Sequence, residues 1–326
     1  MVKEETYLIT GATGYIGNML VKKILTFHRN SKVILPVRNR NKAESMYLTE
    51  LRENPGKIEF LQGSLEESLI GKVNEKVDYI IHCAAPTKSA YMISNPVETM
   101  DAIVLGTKNI LELAKHLKVE SMVYLSSMEV YGNVPYNENE HIKEEKLGDI
   151  NLFRERSCYP LGKRTAEYQC YAYFKEYHVP VKIARLAQTF GRGVLPGENR
   201  VFAQFARAAK KGEDIVLHTE GKSVGNYCDI DDAMEAVFLL LHKGLNGEAY
   251  NVVNEENTMT IRKMAELVAG LSHGKSQIIM DIPDTNKYGY AADTGIRLSS
   301  DKLRKLGWKP EHDLTTMYLK LIDEIH

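Results

Sequence analysis

Tyr159 and Lys163 stand four residues apart in Tyr159-Pro-Leu-Gly-Lys163, a spacing that brings two side chains to one face of a helix. An ammonium beside a phenol favours the phenolate and draws the tyrosine down from its usual value of about 10 toward neutrality. A tyrosine tuned in this way can take a hydroxyl proton while a hydride leaves the same carbon, and can return it in the reverse direction. Hydroxyls suited to hold the reacting oxygen end an apolar run at Ser126 and Ser127, within Tyr124-Leu-Ser-Ser-Met-Glu-Val-Tyr-Gly132. Glu129, two residues further on, adds a carboxylate to the same segment.

A second chemical feature lies near the start of the chain. Thr10-Gly-Ala-Thr-Gly-Tyr-Ile-Gly17 places Gly11, Gly14 and Gly17 between a strand-like run and a helix-like one, with Thr13, Tyr15 and Ile16 in the same turn. Glycines there allow a tight turn, close approach of the backbone to a pyrophosphate, and a helix packed near a sheet. The helix N-terminus then offers free N–H groups and a positive dipole to the anion. The turn is therefore expected to bind a dinucleotide. After the second strand the chain reads Leu35-Pro-Val-Arg-Asn-Arg-Asn-Lys42, without the carboxylate that would grip ribose hydroxyls. Arg38, backed by Arg40 and Lys42, tilts the expectation from NAD toward NADP.

The elements that must position these groups follow from periodicity. Strands are expected at residues 7–10, 33–37, 58–62, 79–83, 122–126 and 181–186, and helices at 15–27, 43–53, 97–117 and 159–177. Alternation of nearly continuous apolar strands with amphipathic helices predicts an α/β fold with a parallel sheet covered on both faces. Beyond residue 188 the pattern loosens. Helices are expected at 201–211, 231–242, 261–271, 298–308 and 314–325, with a short strand at 215–218, as a smaller domain.

The bulk composition narrows the class. Across 326 residues, 44% hydrophobic and 26% charged is an ordinary globular balance. A net charge of −1 gives no reason to expect a nucleic-acid partner. Cys83, Cys158, Cys170 and Cys228 show no Cys-x-x-Cys spacing, so neither a metal site nor a disulfide framework is expected. No apolar stretch is long enough for a signal peptide or a membrane span, so a soluble cytoplasmic protein is expected.

The glycine turn, the Ser-Ser-x-x-Val-Tyr-Gly segment and the Tyr-x-x-x-Lys pair, in this order, resemble the extended short-chain dehydrogenase/reductase family. Within it they are similar to the nucleotide-sugar epimerases, dehydratases and decarboxylases. The likeness spans nearly the whole chain, for Gly307-Trp-Lys-Pro310 is similar to the family's C-terminal element. The resemblance implies a Rossmann-type doubly wound parallel sheet with a smaller C-terminal substrate domain. The dinucleotide-binding part would hold residues 1–188 with a return segment at 226–253, and the substrate part 189–225 and 254–326. It makes Tyr159 the acid/base, Ser127 its hydroxyl partner, and Lys163 the residue that binds the nicotinamide ribose and lowers the tyrosine's pKa. His82-Cys-Ala-Ala85 looks like the segment that passes the cofactor, with Ala84 against it.

The same resemblance bears on the reaction. Family members that eliminate water or carbon dioxide carry a Glu two residues after the catalytic Ser or Thr, as Glu129 stands here. Dehydratases usually have an Asp before it, where this chain has Met128. Gln188 stands where an Asn often meets the substrate diphosphate, and Ser64 where an Asp usually lies near the adenine. The diphosphate charge would fall to Arg192, Arg200 or Arg297. A redox-neutral enzyme acting on a nucleotide-sugar through a transient keto-sugar is the expected function, and an NADPH-dependent carbonyl reductase is the alternative. Helices 97–117 and 159–177 resemble those that build a four-helix homodimer interface.

Overall fold

Runs of Val, Ile and Leu in the first half of the chain bury both faces and make the strands of one sheet. In the computed structural model, which describes residues 4–28, 30–135, 137, 139–283 and 295–325, these are β1 (Thr6–Thr10), β2 (Lys32–Val37), β3 (Ile58–Gln62), β4 (Tyr79–His82), β5 (Ser121–Ser127) and β6 (Val181–Leu186). The later strands are β7 (Gln188–Phe190), β8 (Ile215–Leu217), β9 (Val224–Asp229), β10 (Ala249–Val252), β11 (Asn254–Thr260) and β12 (Ile278–Met280). The helices are α1 (Tyr15–Phe27), α2 (Arg40–Met46), α3 (Leu48–Glu53), α4 (Ser89–Ser94), α5 (Pro96–Leu117), α6 (Cys158–Tyr177), α7 (Val201–Lys211), α8 (Ile230–Lys243), α9 (Ile261–Leu271), α10 (Asp301–Arg304) and α11 (Leu314–Glu324).

The main sheet runs β10-β6-β5-β4-β1-β2-β3. β1 pairs in parallel with β2 on one side and β4 on the other, and β3 and β5 continue the parallel pairing outward. The order thus reverses at β1, the topological switch point where open α/β sheets bind ligands beyond their carboxyl ends. The glycine turn follows β1, residues 83–85 follow β4, and Ser127 ends β5, so all three motifs issue from that end. This is the Rossmann-type α/β architecture that the strand–helix alternation predicts.

Two compact units divide the chain: one of residues 1–132, 149–185 and 234–250, the other of 133–148, 186–233 and 251–326. The first holds a core of sheet residues such as Leu8, Ile34 and Ile80 packed with Ile103, Ile110 and Ala166 from α5 and α6. The second has its own core, in which Phe190, Phe202, Tyr227 and Tyr318 meet. There β11, β9 and β7 form a three-stranded sheet, and the sequence Gly307-Trp-Lys-Pro310 is held in place by Trp308, which donates to the Asp232 carbonyl at 3.0 Å.

Several expectations change. Residues 43–53 are two helices, not one: Tyr47 breaks them and sends its hydroxyl to the Ala12 carbonyl, 2.6 Å away. The helix expected at 298–308 shrinks to α10, because Leu298 bridges Ile142 and Gly307 has φ +103°. The return to the first unit begins at Met234 rather than near 226, since β9 joins β7 and β11 instead of the main sheet.

Candidate active site

At the end of β1 the glycines are required by close contact. Gly11 has φ +68°, and a Cβ there would lie 2.9 Å from the Ala84 amide nitrogen. A Cβ on Gly17 would strike the Gly11 carbonyl, and one on Gly14 would crowd the same oxygen at 3.2 Å. Gly14 N donates to Gly11 O at 2.9 Å, and Gly14 is the N-cap of α1 without a side-chain partner. The first amides of that helix are thus open to an anion. Thr13, Gly14, Tyr15 and Ile16 all reach the surface of this cradle, while Ala12 and Gly17 are buried beneath it.

Thr10 ties the cradle to β4. Its hydroxyl oxygen accepts from the amides of Cys83 and Ala84, both at 3.1 Å, and lies 2.6 Å from His82 Nδ1. With its lone pairs so occupied, Thr10 donates its proton to Nδ1. The imidazole then carries its own proton on Nε2 and gives it to Thr107 Oγ1, 3.1 Å away. Burial, with the charge of Lys163 nearby, pushes the His82 pKa down to about 3, so the ring is neutral.

Beyond β5 the groups expected from the sequence to handle the proton come together. α6 begins with Cys158 and Tyr159, and Pro160 is tolerated in this first turn, where no intrahelical partner is needed. The helix packs tightly on α5: a Cβ on Gly162 would meet Ile103 Cδ1 and Met100 Sδ at 3.3 Å. Tyr159 and Lys163 are both buried, as their shared helix face requires. Lys163 Nζ donates to the Leu125 carbonyl at 2.7 Å and lies 4.7 Å from the Tyr124 ring centre and 5.9 Å from that of Tyr159. Burial lowers its pKa to about 8, and the nearby Glu167 opposes the fall. The ammonium therefore persists at neutral pH.

Ser127 caps the 3-10 turn Met128–Tyr131 by accepting from Glu129 N at 3.2 Å, which leaves its own hydroxyl proton to donate. Glu129 accepts from Arg156 Nη2 at 2.7 Å. The Arg156 guanidinium carbon is 5.2 Å from the Tyr159 ring centre. Tyr159, Lys163, Ser127 and Glu129 are thus linked around one end of β5 and α6. Below them, Ser126 donates to the buried Glu167 carboxylate at 2.5 Å, and Arg185 binds the same carboxylate through Nε and Nη2. Thr10, Tyr47, Arg156 and Glu167 were not singled out by the sequence, because each meets its partner across a long stretch of chain.

The other candidates lie elsewhere. Arg38 is exposed just after β2 and has no ion pair among the described residues, whereas Arg40 is paired with Glu44 at 2.7 Å. Ser64 accepts from Glu66 N and shapes its own turn. Gln188, Arg192 and Arg297 belong to the second unit. There Arg192 forks onto Asp231 with Nε and Nη2, and Arg297 Nε is buried without a hydrogen-bond partner. Arg200 is paired with Glu198. Asp229, Asp231 and His312 cluster in this unit: Asp229 Oδ1 caps α8, Asp231 holds Arg192 and His312 Nδ1 meets Asp232, while Asp229 Oδ2 is buried without a hydrogen-bond partner.

Known proteins resemble the chain in sequence and in fold. A UDP-glucuronic acid decarboxylase 1 of Danio rerio is 29% identical over 312 residues, covering 93% of this chain and 68% of the relative. A dTDP-D-glucose 4,6-dehydratase of Dictyostelium discoideum is 28% identical over 253 residues, covering 75% of the chain and 57% of the relative. In fold, the chain matches a UDP-glucose 4-epimerase of Thermotoga maritima solved with UDP-glucose, at TM-score 0.82, 21% identity and 98% of each chain. The family model described as "NAD dependent epimerase/dehydratase family" matches residues 7–253, and the chain belongs to that family.

Proposed function

We propose that the protein is a redox-neutral, NAD(P)-dependent enzyme that oxidises a hydroxyl of a nucleotide-linked sugar, transforms the transient keto-sugar and reduces it again. The observation that carries this reading is the linked set Tyr159, Lys163, Ser127 and Glu129 in the same unit as the glycine cradle. The cradle suits a dinucleotide: Gly11, Gly14 and Gly17 permit the close backbone contacts that build the turn, Ala84 packs against it, and the first amides of α1 stay open to a pyrophosphate. When bound, the cofactor supplies a hydride acceptor and, later in the cycle, a donor. Tyr159 as phenolate takes the proton of the sugar hydroxyl, with the Lys163 ammonium stabilising that charge, and Ser127 donates to the same oxygen. In the return half, Tyr159 gives the proton back.

A uronic acid is the favoured sugar. Oxidation beside its carboxylate-bearing carbon gives a keto acid that releases carbon dioxide as the C–C bond electrons pass to the ketone as an enolate. A proton is then added to the carbon. Glu129 supports this reading, and Met128 before it leaves no adjacent acid for loss of a hydroxyl. The name of the Danio rerio relative points the same way. Gln188, Arg192 and Arg297 are the proposed diphosphate contacts, with Arg297 supported by its unpartnered buried Nε. Arg38, exposed and without an ion pair among the described residues, favours a second reading as an NADPH-dependent reductase.

We also propose a cytoplasmic homodimer built on α5 and α6. Val97, Leu105, Tyr168 and Tyr171 on these helices leave large apolar surface exposed. No helix among the described residues is long and apolar enough to cross a membrane.

The test is incubation with a panel of nucleotide-sugars and catalytic NAD or NADP, with products resolved by mass. A product of equal mass, or lighter by carbon dioxide or water, supports the redox-neutral reading. Product formed only from a keto substrate with stoichiometric NADPH makes the protein a reductase.

A further inference from the structure

Arg156 sits three residues before Tyr159, and nothing in the composition of that segment marks it. In the structure its guanidinium is divided among three neighbours. Nη2 donates to Glu129 at 2.7 Å, Nε donates to Ser89 Oγ at 3.1 Å, and the guanidinium carbon is 5.2 Å from the Tyr159 ring centre. Nη1 is buried and has no hydrogen-bond partner. An unpaired buried donor costs stability, so packing alone would not select this placement. A surface arginine–glutamate pair would also be worth little, yet this one is partly covered, and each member touches the segment that carries a reacting group.

We propose that Arg156 is a positioning residue that joins Glu129 to the phenol of Tyr159. Anchored to Ser89 at the start of α4 through Nε, it holds the Glu129 carboxylate with Nη2 while its guanidinium lies over the ring of Tyr159. Two groups on separate elements, one on the turn after β5 and one on α6, thereby enter the reaction with a fixed relation. The inference rests on the reading of Tyr159 as the acid/base. Arg156 and Lys163 are charged groups beside the Tyr159 ring, with Glu129 paired to Arg156 and Tyr124 beside Lys163.

The experiment is a spectrophotometric titration of the Tyr159 phenolate, taken as the difference from Tyr159→Phe, in the NAD-loaded wild type and in Arg156→Gln, Arg156→Lys and Glu129→Gln. Arg156→Gln should move phenolate formation to higher pH, since a nearby cation is lost. Glu129→Gln should move it lower, since the guanidinium loses its counter-ion, and Arg156→Lys should fall between Arg156→Gln and the wild type. Kinetics with UDP-glucuronic acid as the probe should show kcat reduced about 10- to 100-fold in Arg156→Gln, as for a disturbed acid/base, with KM little changed. In the Glu129→Gln background the same change should have little further effect on kcat. Titrations that coincide in all variants, losses that multiply, or a raised KM with normal kcat would overturn the proposal. Full activity in Tyr159→Phe would instead remove the reading on which it rests.

Discussion

At the scale of residues, the proposed reaction turns on proton transfer at Tyr159. Tyr159→Phe should lower turnover by about 100- to 10,000-fold while leaving the melting temperature close to that of the wild type, the range for a lost acid/base. Glu129→Gln should cost about 100-fold or more in turnover on the same scale; near-normal rates would remove Glu129 from the chemistry. Lys163 provides a pH signature. In the fold it releases its proton at about 8 against an ordinary value of 10.5, so the unfolded chain holds more protons between those values. Stability from this group therefore rises with pH across that window and is least favourable below it. Urea midpoints should show Lys163→Met gaining more over the wild type at pH 7 than at pH 10, and an unchanged difference would contradict the buried ammonium. The Tyr159–Lys163 pair was readable because four residues on a helix define a face. Arg156 was not, since it meets Glu129 27 residues away, and only tertiary structure brings the turn after β5 against α6.

At the scale of elements, the glycine cradle and the strand ends form one construction. Thr10 satisfies two amides and the His82 ring at once. Thr10→Val should leave those buried groups unpaired and cost about 1–3 kcal/mol of stability, with dinucleotide affinity weakened as the Ala84 strand end shifts. Titration calorimetry and thermal melts check both effects. On α6, Gly162 lets α5 approach closely. Gly162→Leu should overpack this contact and cost about 1–3 kcal/mol, read as a lower urea midpoint. Strands such as Lys32–Val37 and Tyr79–His82 were legible because nearly continuous apolar runs buried on both faces carry no ambiguity of phase. β9 and β11 were missed, for their buried positions include Asn226, Asp229, Asn254 and Asn257. Asn226 illustrates the reason: its amide donates to Ile296 O and accepts from Leu298 N, partners some seventy residues away, so polarity there is internal wiring.

For the whole molecule, the sequence shows a regular α/β half and a looser second half, and the structure gives each its own core. The boundaries were less legible because residues 224–229 pair with β7 and β11 rather than with the main sheet, and only the tertiary structure shows those partners. A homodimer through α5 and α6 should bury about 800 Å² or more per partner. Tyr168→Glu, on an exposed site of α6, should yield a monomer by light scattering, whereas a wild type that is already monomeric at micromolar concentration would contradict the dimer. Redox-neutral chemistry on a nucleotide-sugar can be read from product mass after incubation with UDP-glucuronic acid and a catalytic amount of NAD or NADP. The expected product is lighter by carbon dioxide, with no net reduced cofactor, and none is formed by Tyr159→Phe. Failure of the wild type to transform this or any other nucleotide-sugar, together with consumption of stoichiometric NADPH on a keto substrate, would contradict it.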